Sequence, residues 1–255
     1  MEIKLLGTGT SQGVPVIGCQ CKVCQSQNPK DNRLRTSALL KWNEFTFVID
    51  TGPDFRQQML REKVEKLDGI FYTHEHADHT AGLDDIRPLY FRRKSPIPVY
   101  AQERVIEDLE KRFQYIFTKV NRYPGAPEVS PFTPKAYRSY FIGGKEITPF
   151  IVMHGTLPIY AYKVDRMAYI TDAKTIPQKS IDLIKEVDLL IINALHHKEH
   201  KMHLNLKESL EMIEIIKPRK AVLTHISHHM GLYEEINKQL PDNVFLGYDG
   251  MRSQV

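Results

Sequence analysis

The chain contains no run of about 18 apolar residues, which excludes a membrane-spanning helix. Internal repeats and low-complexity tracts are also missing. The opening stretch, MEIKLLGTGTSQG, places an acidic residue second and carries no basic segment ahead of a long apolar one, so it does not read as a signal peptide. Cysteine is scarce: three residues, an odd number crowded near the start, cannot form a closed disulfide framework. A reducing compartment, the cytoplasm, is the expectation. Long basic runs are absent as well. Arg92, Arg93 and Lys94 are only three in a row and read as a solvated face, so nucleic acid is not an expected partner.

What is present suits a globular enzyme. Of 255 residues, 42% are hydrophobic, enough to bury a sizeable core, and 26% are charged. The formal net charge of +4 permits an anionic substrate without requiring one, because 11 histidines lie outside that count.

Short β-like runs rich in Ile, Val, Tyr and Phe recur along the chain, among them Ile3–Leu6, Ser37–Trp42, Phe45–Ile49, Gly69–Thr73, Ile97–Tyr100, Glu146–Met153 and Ile159–Val164. Met167–Thr171, Val187–Asn193, Ala221–Thr224 and Val244–Tyr248 continue the series, and Asp165-Arg166 reads as a tight hairpin turn. Helical spacing of apolar residues marks Glu103–Phe117 and Leu206–Ile216, with shorter candidates at Pro177–Lys185 and Tyr233–Leu240. Asn205 followed three residues later by Glu208 resembles a capping box. Four prolines and a glycine between Asn121 and Pro134 predict an irregular loop there, a candidate flap over a pocket or a passive connection. The interspersed elements fit one layered α/β domain over residues 1–255, with two sheets between helices.

The chemistry concentrates in His74-Glu75-His76-Ala77-Asp78-His79, directly after the strand run Gly69–Thr73. Four ligand-type side chains in six residues are too many for a core: isolated, they would be costly to bury, whereas a bound metal satisfies them. Three further residues repeat one placement. His154 ends Ile147–Met153, Asp172 ends Met167–Thr171 and His225 ends Ala221–Thr224, each just past an apolar strand, where open α/β sheets gather their sites.

The pattern His-x-His-x-Asp-His, followed in order by a His, an Asp and a His, resembles the metallo-β-lactamase superfamily. The resemblance runs over nearly the whole chain and implies a four-layer αββα sandwich with the site at one edge. It assigns His74, His76 and His154 to one metal, Asp78, His79 and His225 to another, and Asp172 to a bridge between them. Asp50, in the run VIDTG, matches the family's supporting aspartate. Two divalent cations roughly 3.5–4 Å apart lower the pKa of a water between them from 15.7 towards 7, giving a hydroxide nucleophile at neutral pH. Imidazole and carboxylate ligands suit zinc, manganese or iron, with Zn or Mn the expectation here.

Ligands of this kind serve β-lactam, lactone, thioester and phosphodiester hydrolases alike, so the substrate must be read elsewhere. Cys19, Cys21 and Cys24 place three thiols within six residues and suit a Cys₃His structural zinc site. His228, three residues beyond His225, is the expected fourth ligand, with His229 as the alternative. Cys-x-Cys-x-x-Cys with a downstream His resembles the phosphoribosyl cyclic phosphodiesterase family, as does the opening Leu6–Pro15; tRNase Z is a more distant likeness. By that resemblance His203, just before a helix, is the general acid for the leaving alkoxide, in a neighbourhood crowded by His196, His197 and His200. Arg33, Arg35 or Arg87 are candidates to hold a second phosphate. The expected function is hydrolysis of a small phosphodiester, with a homodimer expected by analogy. The competing readings are a tRNase Z-type nuclease, a lactone or thioester hydrolase, and a non-catalytic scaffold. No long basic arm speaks for the first, and the last predicts missing ligands where none is missing.

Overall fold

The computed structural model describes residues 1–255. Two seven-stranded sheets pack face to face between helices. The first sheet is built from β1 (Glu2–Gly7), β2 (Ser37–Trp42), β3 (Phe45–Ile49), β4 (Gly69–Phe71), β5 (Ile97–Tyr100) and β6 (Val129–Phe132). The second contains β7 (Tyr140–Ile142), β8 (Lys145–His154), β9 (Leu157–Val164), β10 (Met167–Tyr169), β11 (Leu189–Asn193), β12 (Lys220–Thr224) and β13 (Val244–Leu246). The chain then returns to the first sheet as β14 (Arg252–Gln254), giving the orders β14-β1-β2-β3-β4-β5-β6 and β13-β12-β11-β10-β9-β8-β7.

Each sheet is antiparallel in one half and parallel in the other. β3 to β6 run parallel in the first sheet and β10 to β13 in the second. Parallel neighbours need crossovers, which supply the outer helices. These are α1 (Phe55–Arg61), α2 (Ala77–Thr80), α3 (Arg87–Arg93), α4 (Glu103–Arg112), α5 (Gln114–Phe117), α6 (Gln178–Ile184), α7 (Leu206–Ile216) and α8 (Tyr233–Asn237).

Side-chain alternation along the strands builds three apolar layers. Ala38, Leu40, Phe47 and Ile49 face the gap between the sheets, where they meet Tyr162, Tyr169, Leu189 and Ile191. Leu39 and Val48, one residue out of phase, face α1, α3 and α4. Leu190 and Ile192 face α6, α7 and α8 in the same way. The result is the αββα sandwich that the sequence resemblance implies.

Three local readings need correction. Glu103–Phe117 is two helices, because the backbone at Phe113 leaves helical geometry (φ −123°, ψ 39°). The proline-rich stretch is not wholly irregular: Val129–Phe132 is an edge strand paired with β5. Pro131 is tolerated there because an edge strand need not donate on its outer side. The segment is also pinned by Arg122 to Glu128 and by Arg87 to the Gly125 carbonyl, so it is a fastened edge and not a free flap. Around Asn205 the capping box is present in full.

Candidate metal centre

Asp50, His74, His154, Asp172 and His225 all sit at strand ends on one edge of the sandwich, where the parallel halves of both sheets terminate. The loop after β4 carries His74 and His76 and runs into the one-turn α2, which presents Asp78 and His79. Two groups of potential ligand atoms result, His74/His76/His154 and Asp78/His79/His225. Asp172 adjoins both: its Oδ1 lies 3.1 Å from His225 Nε2 and its Oδ2 3.3 Å from His79 Nε2, and it groups with His74 as well.

Hydrogen bonds behind the histidines decide which nitrogen faces the site. His79 Nδ1–H donates to Asp50 Oδ2 at 2.7 Å, turning Nε2 inward. Thr73 donates to Asp50 through both its backbone N–H and its hydroxyl, at 2.8 Å each. That leaves the Thr73 oxygen to accept from His74 Nδ1–H at 3.0 Å, so His74 Nε2 carries a lone pair into the site. His154 Nδ1–H donates to the Met202 carbonyl at 3.0 Å. Such partners fix tautomer and ring orientation for metal binding. Three of the residues, Asp50, Asp172 and His225, also hold left-handed backbone (φ 63°, 57° and 54°). For a residue with a Cβ this conformation is costly, and it persists where the surroundings over-determine it.

The donor set fits divalent cations. His79 Nε2 and His225 Nε2 are buried without a hydrogen-bond partner, a costly condition that a metal would relieve. Burial opposes charge on His79, but Asp172, Asp78 and Asp50 outweigh it and hold the imidazole well above its usual pKa. Burial likewise opposes ionisation of Asp172, and His225 and His79 overcome it, keeping the carboxylate charged. His203 lies beside both groups, its ring stacked 4.8 Å from His225 and tilted at 4.7 Å from His154, with Nδ1 3.7 Å from Asp172 Oδ1. Burial and then the neighbouring His225 push its pKa down to about 3.

A second cluster joins Cys19, Cys21 and Cys24 to His228, whose Nδ1 is 3.3, 3.4 and 3.4 Å from the three sulfurs. Those spacings approach the edge, about 3.5 Å, of a tetrahedron with zinc–ligand bonds of about 2.3 and 2.0 Å. His229, the alternative fourth ligand, is not in the group. The cluster anchors the N-terminal loop beside the turn that carries His225, and the Thr8 carbonyl accepts from Ile226 N at 2.8 Å.

None of the three arginines considered for phosphate is free. Arg33 is buried and donates to Thr8 and to the Gly247 carbonyl, Arg35 pairs with Asp54 at 3.0 Å, and Arg87 pairs with Asp84 at 2.6 Å. Sequence reasoning missed two supports. A Cβ at Gly52 would sit 2.2 Å from the Asp78 carbonyl oxygen, so the glycine of VIDTG lets the ligand helix approach the strand end. Arg104 bonds Glu75, between His74 and His76, and also the Pro158 carbonyl at 2.7 Å, in the hairpin next to His154. The VIDTG glycine was visible in the sequence, but nothing in the sequence around Arg104 announces its partners.

The β-lactamase superfamily domain profile matches residues 46–226. A Porphyromonas gingivalis protein named octanoyltransferase is 40% identical over 99% of this chain, which covers 51% of that relative. The chain spans about half the length of the first curated relatives it matches. Among solved structures, a diphosphatase from the PhnP family superposes with a TM-score of 0.92 at 40% identity, covering 99% of this chain and 96% of that one. Zn²⁺-bound PqqB from Methylobacterium extorquens superposes at 0.82 with 17% identity over the full length of both, a likeness of fold. On this evidence of matched residues and shared architecture, the chain belongs to the metallo-β-lactamase superfamily and, within it, to the PhnP family.

Proposed function

We propose that residues 1–255 act as one metal-dependent hydrolase of small phosphate diesters. In this reading His74, His76 and His154 hold one divalent cation, Asp78, His79 and His225 hold a second, and Asp172 reaches both. Cys19, Cys21, Cys24 and His228 hold a structural zinc. The observation that carries the reading is the convergence of seven ligand-type side chains whose buried nitrogens include two without any other partner. Bound there, two divalent cations would lower the pKa of water from about 15.7 towards 7 and neutralise charge on the attacked phosphoryl group.

The protein's own part is orientation and proton supply. Asp50, Thr73 and the Met202 carbonyl present imidazole lone pairs inward. His203, outside both ligand groups, is placed in this proposal at the leaving oxygen. An alkoxide is a poor leaving group, and a positioned acid contributes about 10²–10⁴-fold. Burial favours the neutral form of His203, whereas the negative charge of a bound phosphate favours the imidazolium that donates.

His203→Ala is the test. Turnover of an alkyl-leaving diester should fall by about 10²–10⁴-fold with metal content retained. A nitrophenyl diester, whose leaving group needs no acid, should lose far less. Equal losses on both substrates, or loss of metal, would remove His203 from the acid role. A second reading, cleavage of a diphosphate linkage, is favoured by the description of the PhnP-family neighbour as a diphosphatase. The homodimer belongs to the proposal too, and size-exclusion chromatography with light scattering tests it.

A further inference from the structure

All three cysteines of the chain lie in the cluster with His228, and they differ in shielding: Cys19 and Cys21 are half-buried, whereas Cys24 is buried. The three sulfurs and His228 Nδ1 all lie within 4.8 Å of one another. Cys21 and Cys24 stand on one tight turn, closed by Gln25 N–H donating to the Cys21 carbonyl at 3.0 Å. A turn of this helical kind sets residues three apart side by side, within the Cα spacing of about 4.4–6.8 Å that a disulfide bridges. Cys19 lies ahead of the turn. The cluster is also what fastens this loop beside the metal centre. Apart from it, the polar link that residues 15–27 make to the rest of the fold is the exposed pair of Lys22 with Glu235 at 2.6 Å, a contact of little strength. His228 stands three residues past His225, and Ile226 between them bonds the Thr8 carbonyl and bridges to Gly9.

We propose that Cys21 and Cys24 are a site of modification by hydroperoxides, and that a disulfide closing between them opens the zinc cluster and loosens the ion held by His225. The inference rests on the cluster holding zinc, as argued above, and adds what an oxidant does to it. As metal ligands the sulfurs are thiolates, which is also their nucleophilic form. The half-buried Cys21 thiolate attacks the outer oxygen of the hydroperoxide, the O–O bond breaks, and the other oxygen leaves with its electron pair and is protonated to an alcohol or water. The Cys21 sulfur is then a sulfenic acid. The buried Cys24 thiolate attacks that sulfur, an S–S bond forms, and hydroxide leaves and is protonated to water. The two sulfurs lose two electrons and the peroxide gains them. Bridging at this stage spares Cys21 from the irreversible sulfinic and sulfonic acids. Only Cys19 and His228 then remain of the four ligands, too few for a closed structural site. The freed loop no longer steadies the turn that carries His225.

The test uses the metal-loaded wild-type protein, whose metal content is measured first. Hydrogen peroxide should release one zinc ion per chain to a chromophoric chelator. Trypsin cuts after Lys22, between the two cysteines, so the bridge joins the peptide ending at Lys22 to the one starting at Val23, and mass mapping detects a linked pair that reduction separates. Fragmentation of that pair, and survival of the link in Cys19→Ser, assign it to Cys21. The oxidised protein should hold one active-site ion about tenfold more weakly in chelator competition, the lower end of what losing a supporting contact costs. Dithiothreitol with added zinc should restore both metals. Sulfinic or sulfonic acid without a link, a bridge through Cys19, or unchanged active-site affinity after zinc release overturns the proposal. A starting protein with no zinc beyond the active-site ions overturns the zinc reading of the cluster, and the proposal with it.

Discussion

Replacing Asp50 by Asn removes one carboxylate oxygen and inserts two N–H donors in a fully buried position. In the wild type Oδ1 accepts from Thr73 N at 2.8 Å, and Oδ2 accepts from Thr73 Oγ1 at 2.8 Å and His79 Nδ1 at 2.7 Å. An amide has one oxygen for these two places. With its oxygen at the Oδ2 position, its NH₂ confronts the Thr73 backbone N–H. With the oxygen at Oδ1, the NH₂ confronts His79 and forces the other tautomer, whose Nε2–H then points where a metal would bind. Either outcome forfeits one hydrogen bond to a charged group, about 1.5–3 kcal/mol, or roughly 10- to 150-fold. This matches the 10–100-fold range typical when a supporting partner of a metal ligand is lost. Competition with a chromophoric chelator should therefore show one weakened active-site ion per chain. The Cys19/Cys21/Cys24/His228 zinc is retained as an internal standard. Affinity within about twofold of wild type, in a protein that still melts cooperatively, would refute the argued role of Asp50.

Arg104→Gln should loosen the ion assigned to His74, His76 and His154 by about tenfold, because Arg104 ties their loop to the β8–β9 hairpin; metal stoichiometry after dialysis against a weak chelator checks this. Burial opposes ionisation of Glu62, but hydrogen bonds from Lys4 (2.5 Å) and Arg61 (2.8 Å) prevail and hold its pKa below the ordinary value. A depressed folded-state pKa contributes stability that is present above the unfolded pKa and disappears as pH falls through the folded one. Glu62→Gln should therefore melt below wild type at pH 7 and converge with it in acid, as calorimetry across pH would show. In metal-stripped protein Cys21, whose pKa is lowered to about 6 chiefly by a backbone hydrogen bond at Cys24, should alkylate before Cys24, whose pKa burial raises to about 11. Zinc should protect all three, and peptide mass mapping distinguishes the outcomes.

Chemistry-bearing residues were legible because each carries a local signature. Four ligand-type side chains in His74–His79 cannot be a core, His154, Asp172 and His225 each follow an apolar strand, and three cysteines in six residues suggest a metal. Most strands of both sheets could be read for the same reason, since alternation such as Leu39 against Ala38 and Leu40 is written in adjacent positions, whereas the short edge strands β6, β7 and β14 were not. Register, pairing and contacts between distant segments are not. Whether Pro131 lies in a loop or on an edge strand depends on β5 lying alongside it. Arg33 looks like a phosphate ligand until Thr8 and Gly247 enclose it, and the meeting of His196, His200 and His229 needs segments about 30 residues apart to fold together. Amino-acid type and short spacing determined what chemistry this chain is able to perform. Only long-range packing decided which lone pairs face inward and which charges are already spent, because those depend on neighbours that the sequence keeps far apart.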